Sequence, residues 1–380
     1  MVGTAYSGRE FIGGASRVAF QREDNFGVMV PSIPYRRIGI TNQGIDLPDK
    51  RVDVKKYRSF EDNARQYLLT RNGRQEFSSS ISFLPTSGEM FYYGLGSDVD
   101  ENSTTNKADG VLGAHIMEPV EDPHLPSMTL YSRLKNSPDF TRAFPGTVVS
   151  GFTGSLAETS ELVMSLDIMS KSGGTVIPVA PVEPPVSDGI TGRNVPTTPI
   201  PYMFYDRTAR IQIMGKYDDN PSSPTFMTML PNTDFPSAYR QMIRVRNFNF
   251  NYSSNLTPIY AESAAADNPR QPLTFVNGGA DFGLTMDVTP TGVTNSYDAS
   301  VYDLLESEAK GDVMLPFKRT RTVNGNTRTD ELHIIFKDCT ISSAPHAHPE
   351  DRGAVSVPVS FEPTKFKVIS RDHAQNYGSL

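Results

Sequence analysis

A set of short strands, each with one apolar and one polar face, constrains this chain more than any other feature. Residues Glu76–Phe83 alternate apolar side chains with serines: Phe77, Ile81 and Phe83 against Ser78, Ser80 and Ser82. Because successive side chains of a strand point to opposite faces, this pattern predicts a strand with one buried face and one wet face. The same period recurs at Leu162–Ile168, Ile211–Ile213, Phe248–Tyr252, Phe282–Val288, Leu332–Phe336, Val355–Phe361 and Phe366–Val368. The sequence therefore predicts an all-β fold.

Composition narrows the class of protein. No segment approaches the roughly 18 apolar residues of a membrane-spanning helix, and Met1–Glu10 lacks the features of a signal peptide. The one cysteine, Cys339, cannot form an intramolecular disulfide, which fits folding in a reducing cytoplasm. The formal net charge of −7 argues against a DNA-gripping surface, because strong nucleic-acid binders are usually basic.

The chain divides by composition into an arm and one domain. Residues 1–35 are rich in Gly, Arg and Ser with scattered apolar side chains, which predicts an extended arm that docks on a neighbouring subunit. Residues 36–380 are interpreted as one β-domain. Two stretches, at about 97–128 and 173–201, are predicted to be insertions: the first begins with an acidic loop at 97–110, and the second is rich in proline.

Local signals place a few helices and turns. Ser59, with Asp62 three residues later, predicts the start of a short helix that runs to about Leu69. Apolar side chains at helical spacing predict a second helix over Ser300–Lys310. Asn72-Gly73 predicts a turn into the serine-rich strand, and Asn324-Gly325 predicts a hairpin.

No motif supports catalysis, so we predict that the chain is not an enzyme and has no catalytic, cofactor-binding or metal residues. Gly94-Leu95-Gly96 is followed by no helix signal, so a dinucleotide site is unsupported. Asp98–Asn102 begins like a calcium loop but lacks the later glycine and glutamate. His346 and His348 lie in a Pro-bounded segment without further ligands at zinc spacing. Metal binding stays open at the 97–110 loop and at the His346/His348 segment, and Cys339 is interpreted as a packed small hydrophobe.

The serial order of several segments resembles the tail tube (major tail) proteins of tailed phages and related archaeal viruses. Glu23-Asp24-Asn25-Phe26-Gly27, within Phe20–Val28, is similar to the family's early Glu-x-x-aromatic-Gly segment. Later segments that resemble the family in order and spacing are Gly73–Phe83, Glu89–Gly96, Pro145–Leu156 with Glu161–Met169, Arg244–Leu256 and Ser356–Ile369. The likeness covers most of residues 18–370, and the two insertions make this chain long for the family.

The resemblance implies a β-sandwich or half-barrel that joins its neighbours into hexameric rings, which stack into a hollow tube for genome delivery. It implies no cofactor, and as partners a tape-measure protein, a tail terminator, baseplate proteins and viral DNA passing through the lumen without specific binding. The implied location is the virion tail, assembled in the host cytoplasm, without membrane insertion. We expect polar positions of Gly73–Phe83 and Glu161–Met169 to line the bore, and the 1–35 arm and one of the long loops to stack rings.

Two other functions remain open from sequence. The first is a receptor- or carbohydrate-binding β-sandwich of a virion, such as a baseplate, fibre or decoration protein. Its sugar platform would be built from exposed aromatic residues: Tyr92, Tyr93, Tyr202, Phe204 and Tyr205. The second is a hydrolase on a β-scaffold, which would need carboxylates or a histidine site brought together by the fold.

Overall fold

Extended strands dominate the computed structural model, which confirms the all-β prediction. The structure describes residues 16–29, 47–58, 67–97, 99–100, 114–134, 141–176, 201–206, 212–232, 245–261, 268–289, 305, 308, 310–323, 326–345 and 356–371. The strands in chain order are β1 Ser16–Arg22, β2 Asp49–Tyr57, β3 Leu69–Phe83, β4 Val99–Asp100, β5 His115–Met117, β6 Met128–Leu134, β7 Thr141–Leu156, β8 Val163–Ser170, β9 Thr175–Val176, β10 Gln212–Asp218, β11 Thr228–Leu230, β12 Val245–Ser253, β13 Thr257–Ile259, β14 Thr274–Val276, β15 Asp281–Val288, β16 Gly311–Val323, β17 Asn326–Ser343, β18 Val357–Glu362 and β19 Lys365–Arg371. One α-helix lies wholly within the described residues, α1 Glu89–Leu95, and a 3-10 turn covers Phe204–Asp206.

Seventeen of the strands form one hydrogen-bonded network, in which residue register defines two sets. The first set runs β2-β3-β8-β7-β12-β15-β18, and β1 pairs with β6 beside the first half of β7. The second runs β11-β10-β16-β17-β19-β5-β4. The long strand β17 belongs to both sets, because its last residues pair with β18.

Aromatic side chains from the two sets meet in a shared core. Phe152 and Phe250 come from the first set, and Phe336 and Phe366 come from the second; all four are buried. Ring centroids of Phe250 and Phe336 lie 6.1 Å apart, and those of Phe152 and Phe366 lie 5.8 Å apart. The apolar faces of the two strand sets therefore cover each other.

Residues 16–29 belong to the fold of their own chain, which corrects the arm predicted over 1–35 for that part. Strand β1 pairs with β6 from Ser16↔Leu134 to Arg22↔Met128, and Phe20 is fully buried in the core. Val18 and Phe20 therefore pack within their own chain. Residues 1–15 and 30–35 of the predicted arm lie outside the described residues.

A buried carboxylate fixes the end of this segment. Glu23 accepts hydrogen bonds from the backbone N–H of Gly27 (2.8 Å) and Gly146 (2.9 Å) and from the hydroxyls of Ser127 (2.8 Å) and Thr129 (2.5 Å). Gly27 adopts a positive φ of 73°, which allows the chain to turn back onto the carboxylate. The Glu-x-x-Phe-Gly segment thus builds a turn that joins β1 to the start of β6 and to Gly146 within β7.

Replacing this carboxylate should destabilise the fold. We expect Glu23→Gln to lower the free energy of unfolding by about 1–3 kcal/mol, because an amide loses charge-assisted bonds and turns its own N–H toward the donors. Chemical denaturation followed by far-ultraviolet circular dichroism measures the change. The control is Glu121→Gln, at an exposed loop carboxylate. Equal stability of the two variants would contradict this role for Glu23.

The two predicted insertions lie partly within the sheet. In the first, β5 pairs with β19 through Ile116↔Ile369, and Leu125 and Met128 are buried, so residues 114–128 are part of the body. In the second, β9 pairs with β7. Residues 98, 101–113 and 177–200 lie outside the described residues.

Two turn predictions have opposite outcomes. The hairpin predicted at Asn324-Gly325 is confirmed by its flanks, since β16 and β17 pair up to Val323↔Asn326. The turn predicted at Asn72-Gly73 is wrong, because both residues lie inside β3. Register shifts there opposite Asp53, and a Cβ on Gly73 would lie 2.9 Å from the Asp53 carboxylate. Gly73 therefore permits a close approach at a β-bulge rather than a reversal of the chain.

The described helix differs from the two predicted ones. Every residue of α1 is buried, and Gly96 ends the helix with a φ of 90° while its N–H donates to the carbonyl of Tyr92. Of the helix predicted at Ser59–Leu69, Leu69 begins β3 instead, and residues 59–66 lie outside the described residues. Of the helix predicted at Ser300–Lys310, Leu305 is helical and most of the rest lies outside them.

Candidate interaction surface

The outer side of the first strand set carries three rows of cross-strand partners, which we name the polar face. Each row crosses from β3 or β8 to β15 or beyond, and directly opposed residues of antiparallel strands place their side chains on the same side of the sheet. The rows are Ser80-Asp167-Gly151-Ser253-Asp281, Ser82-Ser165-Thr153-Asn251-Gly283 and Val163-Ser155-Asn249-Thr285-Ser360-Ser343. The polar face therefore spans seven strands of the set, from β3 to β17.

Apolar rows alternate with the polar ones and point into the core. One runs Ile81-Leu166-Phe152-Tyr252-Phe282, and the next runs Phe83-Met164-Gly154-Phe250-Leu284-Phe361-Ile341. Gly154 interrupts the second row because the Phe250 ring lies across it; a Cβ there would lie 2.1 Å from the ring. The alternation of polar and apolar side chains along each strand is therefore in register across all the strands that these rows cross.

The chemistry of the polar face is uniform. Its side chains are mostly hydroxyls and amides, and the Ser80 and Ser165 hydroxyls share a hydrogen bond of 2.8 Å. The charged residues of the three rows are Asp167 and Asp281, both exposed, and none of the rows contains a lysine or an arginine. Glu362 and Asp287 add carboxylates at the β15–β18 side. The surface is hydrophilic, weakly acidic and without a fixed cation in its rows.

A shallow depression crosses the middle of this surface. Its volume is about 470 Å³, and it opens where Gly283 lies opposite Asn251 without a side chain of its own. A Cβ on Gly283 would lie 2.9 Å from the Asn251 amide oxygen. The polar lining residues are Thr153, Ser155, Asn249, Asn251, Thr285, Ser360 and Glu362. These groups donate and accept hydrogen bonds, and the rows contain neither histidine nor cysteine to act as a base or nucleophile.

The sequence candidates for metal and thiol chemistry are not brought together. Cys339 is fully buried, and burial raises the pKa of its thiol well above the ordinary value, so it behaves as a packed apolar group. Asp98, most of the 97–110 loop, His346 and His348 lie outside the described residues. Within the residues that the structure does describe, no group of three or more His, Cys, Asp or Glu side chains is arranged to hold a metal ion.

The aromatic sugar platform that the sequence left open is not formed by most of its members. Tyr92 and Tyr93 lie on α1 and are buried, Tyr202 is fully buried, and Phe204 is half-buried. Tyr93 packs against Phe20, and Tyr202 packs against Phe317. The reason is that both clusters cover the inner face of the sheet, where large rings fill the core.

Two polar clusters, one buried and one half-buried, were not found from sequence. The Tyr217 hydroxyl and His333 Nδ1 lie 2.9 Å apart, on β10 and β17. Asp219 accepts hydrogen bonds from Lys337 (2.9 Å) and Lys367 (2.5 Å); burial opposes its ionisation, but the two lysines hold its pKa at about 2. Spacing along the chain carries no signal for either cluster, because each joins strands that are distant in sequence.

Neither a protein-family model nor a curated protein sequence matches this chain. In the part of the chain that the structure describes, no helix is long and apolar enough to cross a membrane.

Proposed function

We propose that this chain is a structural virion protein that self-assembles into stacked hexameric rings, which form the hollow tail tube through which a viral genome is delivered. Each subunit is a β-sandwich whose polar face lines the bore. It has no catalytic role and no cofactor. Its partners are further copies of itself, a tape-measure protein, a tail terminator and baseplate proteins, and it is located in the virion tail after assembly in the host cytoplasm.

The polar face is the observation that carries this proposal. A passage for DNA must stay hydrated and must not bind the phosphates it lets through, because adhesion would stall the moving genome. Asp167 and Asp281 repel phosphate, and the absence of lysine and arginine from the three rows removes the usual phosphate ligands. The serine, threonine and asparagine side chains keep a layer of water on the wall.

Assembly would cover the edges of so wide a sheet. Exposed sheet edges pair with other chains unless they are covered, and closing a ring of subunits covers them as barrel closure does. Repeated head-to-tail contacts between subunits produce closed rings or filaments. A tube built from such rings places one face of each sheet inside and keeps it wet.

Site-specific labelling of assembled particles tests the direction of the polar face. In Asn251→Cys the new thiol lies on the middle polar row, and in Lys216→Cys it lies on β10, outside that face; the native Cys339 is buried. We expect negative-stain electron microscopy to show hollow rods of constant diameter for both variants. A bulky polyethylene-glycol maleimide should modify the Lys216→Cys rods but not the Asn251→Cys rods, while a small maleimide modifies both.

Two outcomes would contradict the proposal. Rods in which Asn251→Cys reacts fully with the bulky reagent would place the polar face on the outside. A protein that stays monodisperse at every concentration would contradict self-assembly. Dissociated subunits serve as the control for reactivity, since both thiols should then react with both reagents.

One observation favours a second candidate, a receptor- or carbohydrate-binding virion protein. The depression lined by Asn249, Asn251, Ser360 and Glu362 offers hydroxyl, amide and carboxylate groups of the kind that bind sugar hydroxyls. This candidate predicts a stable monomer or trimer with measurable affinity for an oligosaccharide, which Asn251→Ala would weaken. The exposed aromatic platform that would have supported this candidate is not present among the described residues, because Tyr92, Tyr93 and Tyr202 are buried.

A further inference from the structure

The outer part of the β2–β3 pair stands away from the rest of the sheet. All twelve residues of 53–58 and 67–72, which we name the ribbon, are exposed. The cross-strand pairs Lys55↔Arg71 and Tyr57↔Leu69 share one side of the ribbon, and Val54↔Asn72 and Lys56↔Thr70 share the other. A two-stranded ribbon exposed on both sides is marginal in water by itself, so a surface that covers it would stabilise it.

Large apolar side chains are concentrated on the ribbon. Of the seven large hydrophobic residues that are exposed within the described part of the chain, five lie here. They are Val54, Tyr57, Tyr67, Leu68 and Leu69, and Leu68 is 72% exposed. Tyr57 and Leu69 are cross-strand partners on one side of the ribbon, whereas Val54 lies on the other side. Single exposed apolar residues are ordinary, but a paired group such as Tyr57 and Leu69, next to Leu68, marks an interaction surface.

The same ribbon is basic in an acidic chain. The ribbon has one acidic residue, Asp53, and four basic residues: Lys55, Lys56, Arg58 and Arg71. The whole chain, by contrast, has a formal net charge of −7. Lys56 Nζ lies 5.1 Å and Arg58 Cζ 4.9 Å from the centre of the Tyr67 ring, so both cations are held over the ring. None of the ion pairs formed among the described residues uses these four cations.

These properties select one class of partner. Duplex DNA would neutralise the cations but would leave Val54, Leu68 and Leu69 against phosphate and water. A protein surface with apolar side chains and carboxylates would satisfy both. The rest of this same chain carries the excess negative charge that matches the ribbon, and its exposed carboxylates include Glu121 and Asp122.

We infer that the ribbon is a contact between subunits, which docks on a surface of a second copy of this chain that offers apolar side chains and carboxylates. The inference rests on the proposed self-assembly and assigns part of it to named residues. The ribbon is distinct from the polar face, so one subunit can use both at once. Apolar burial holds the contact together, and the cations select the acidic partner surface.

Two ribbon variants and one matched control test this assignment. Tyr57→Ser/Leu68→Ser/Leu69→Ser removes the apolar contacts, and Lys55→Glu/Lys56→Glu/Arg58→Glu reverses the charge. Lys216→Glu/Lys310→Glu/Lys365→Glu makes the same charge change at exposed lysines elsewhere. Sedimentation velocity and electron microscopy over a concentration series measure the concentration at which each protein assembles. All substitutions lie at exposed positions, and circular dichroism verifies that each variant is folded.

We expect both ribbon variants to need at least a tenfold higher concentration than the wild type, and the control to assemble at less than a threefold higher concentration. Assembly of both ribbon variants at the wild-type concentration would overturn the inference and leave the proposed function standing. A wild-type protein that never assembles would overturn both. Unchanged assembly together with lost binding to a fluorescent duplex DNA would assign the ribbon to nucleic acid instead.

Discussion

Removing the carboxylate of Asp330 should lower the free energy of unfolding by about 3–5 kcal/mol, because it takes a charged hydrogen-bond partner away from a buried guanidinium. Arg319 and Asp330 oppose each other on β16 and β17, 3.1 Å apart, and their side chains are 4% and 0% exposed. The guanidinium also lies 4.2 Å from the centre of the Tyr202 ring and donates to the carbonyl of Thr86. Asp330→Asn keeps the shape and removes the charge, and urea unfolding followed by circular dichroism measures the loss.

An exposed pair of the same type provides the control. Arg246 and Glu158 are 3.2 Å apart, but their side chains are 46% and 54% exposed, so Glu158→Gln should change stability by less than about 1 kcal/mol. The double variant Arg319→Met/Asp330→Leu should be more stable than Asp330→Asn, because an apolar pair of similar volume leaves no unbalanced charge at these two positions. If Asp330→Asn loses no more than Glu158→Gln, burial does not make this pair critical.

The strands that the sequence predicted best are those with a contrast between their faces. Glu76–Phe83 lies within β3, and Ser80 and Ser82 belong to the polar face while Phe77, Ile81 and Phe83 are buried. This works because the period of two is a property of the backbone and does not depend on which strand lies alongside. The two strands predicted to supply the polar surface, β3 and β8, are paired through Ser82↔Ser165.

The extent of the polar face could not be derived in the same way. Thr153 and Asn251 share a row with Ser165 because β7 lies between β8 and β12, and this order is a matter of register between distant segments. Helix α1 was missed because all seven of its residues are buried, so no polar side marks a helical period. Gly73 was predicted to form a turn because β-bulges and tight turns both favour a residue without a Cβ.

Acidification should weaken this protein through one buried histidine. His333 lies on β17, is 8% exposed and is 2.9 Å from the Tyr217 hydroxyl. Burial lowers its pKa from 6.5 to about 4; the nearby Glu331 opposes this shift, while Arg371 and Lys318 add to it. Below pH 6.5 the unfolded chain therefore binds a proton that the folded chain refuses until about pH 4. Stability is complete above pH 6.5 and declines as the pH falls toward 4, by up to about 3 kcal/mol.

His333→Gln should remove most of this decline. The amide stays neutral and can still bond to the Tyr217 hydroxyl, so the variant tests the proton rather than the hydrogen bond. The free energy of unfolding is measured by urea denaturation at intervals between pH 7 and pH 4.5, which is above the range where Asp219, with a pKa of about 2, loses its contribution. His124→Gln, at an exposed histidine, is the matched control and should keep the wild-type slope. A slope that persists in His333→Gln would show that other groups bind the protons on unfolding.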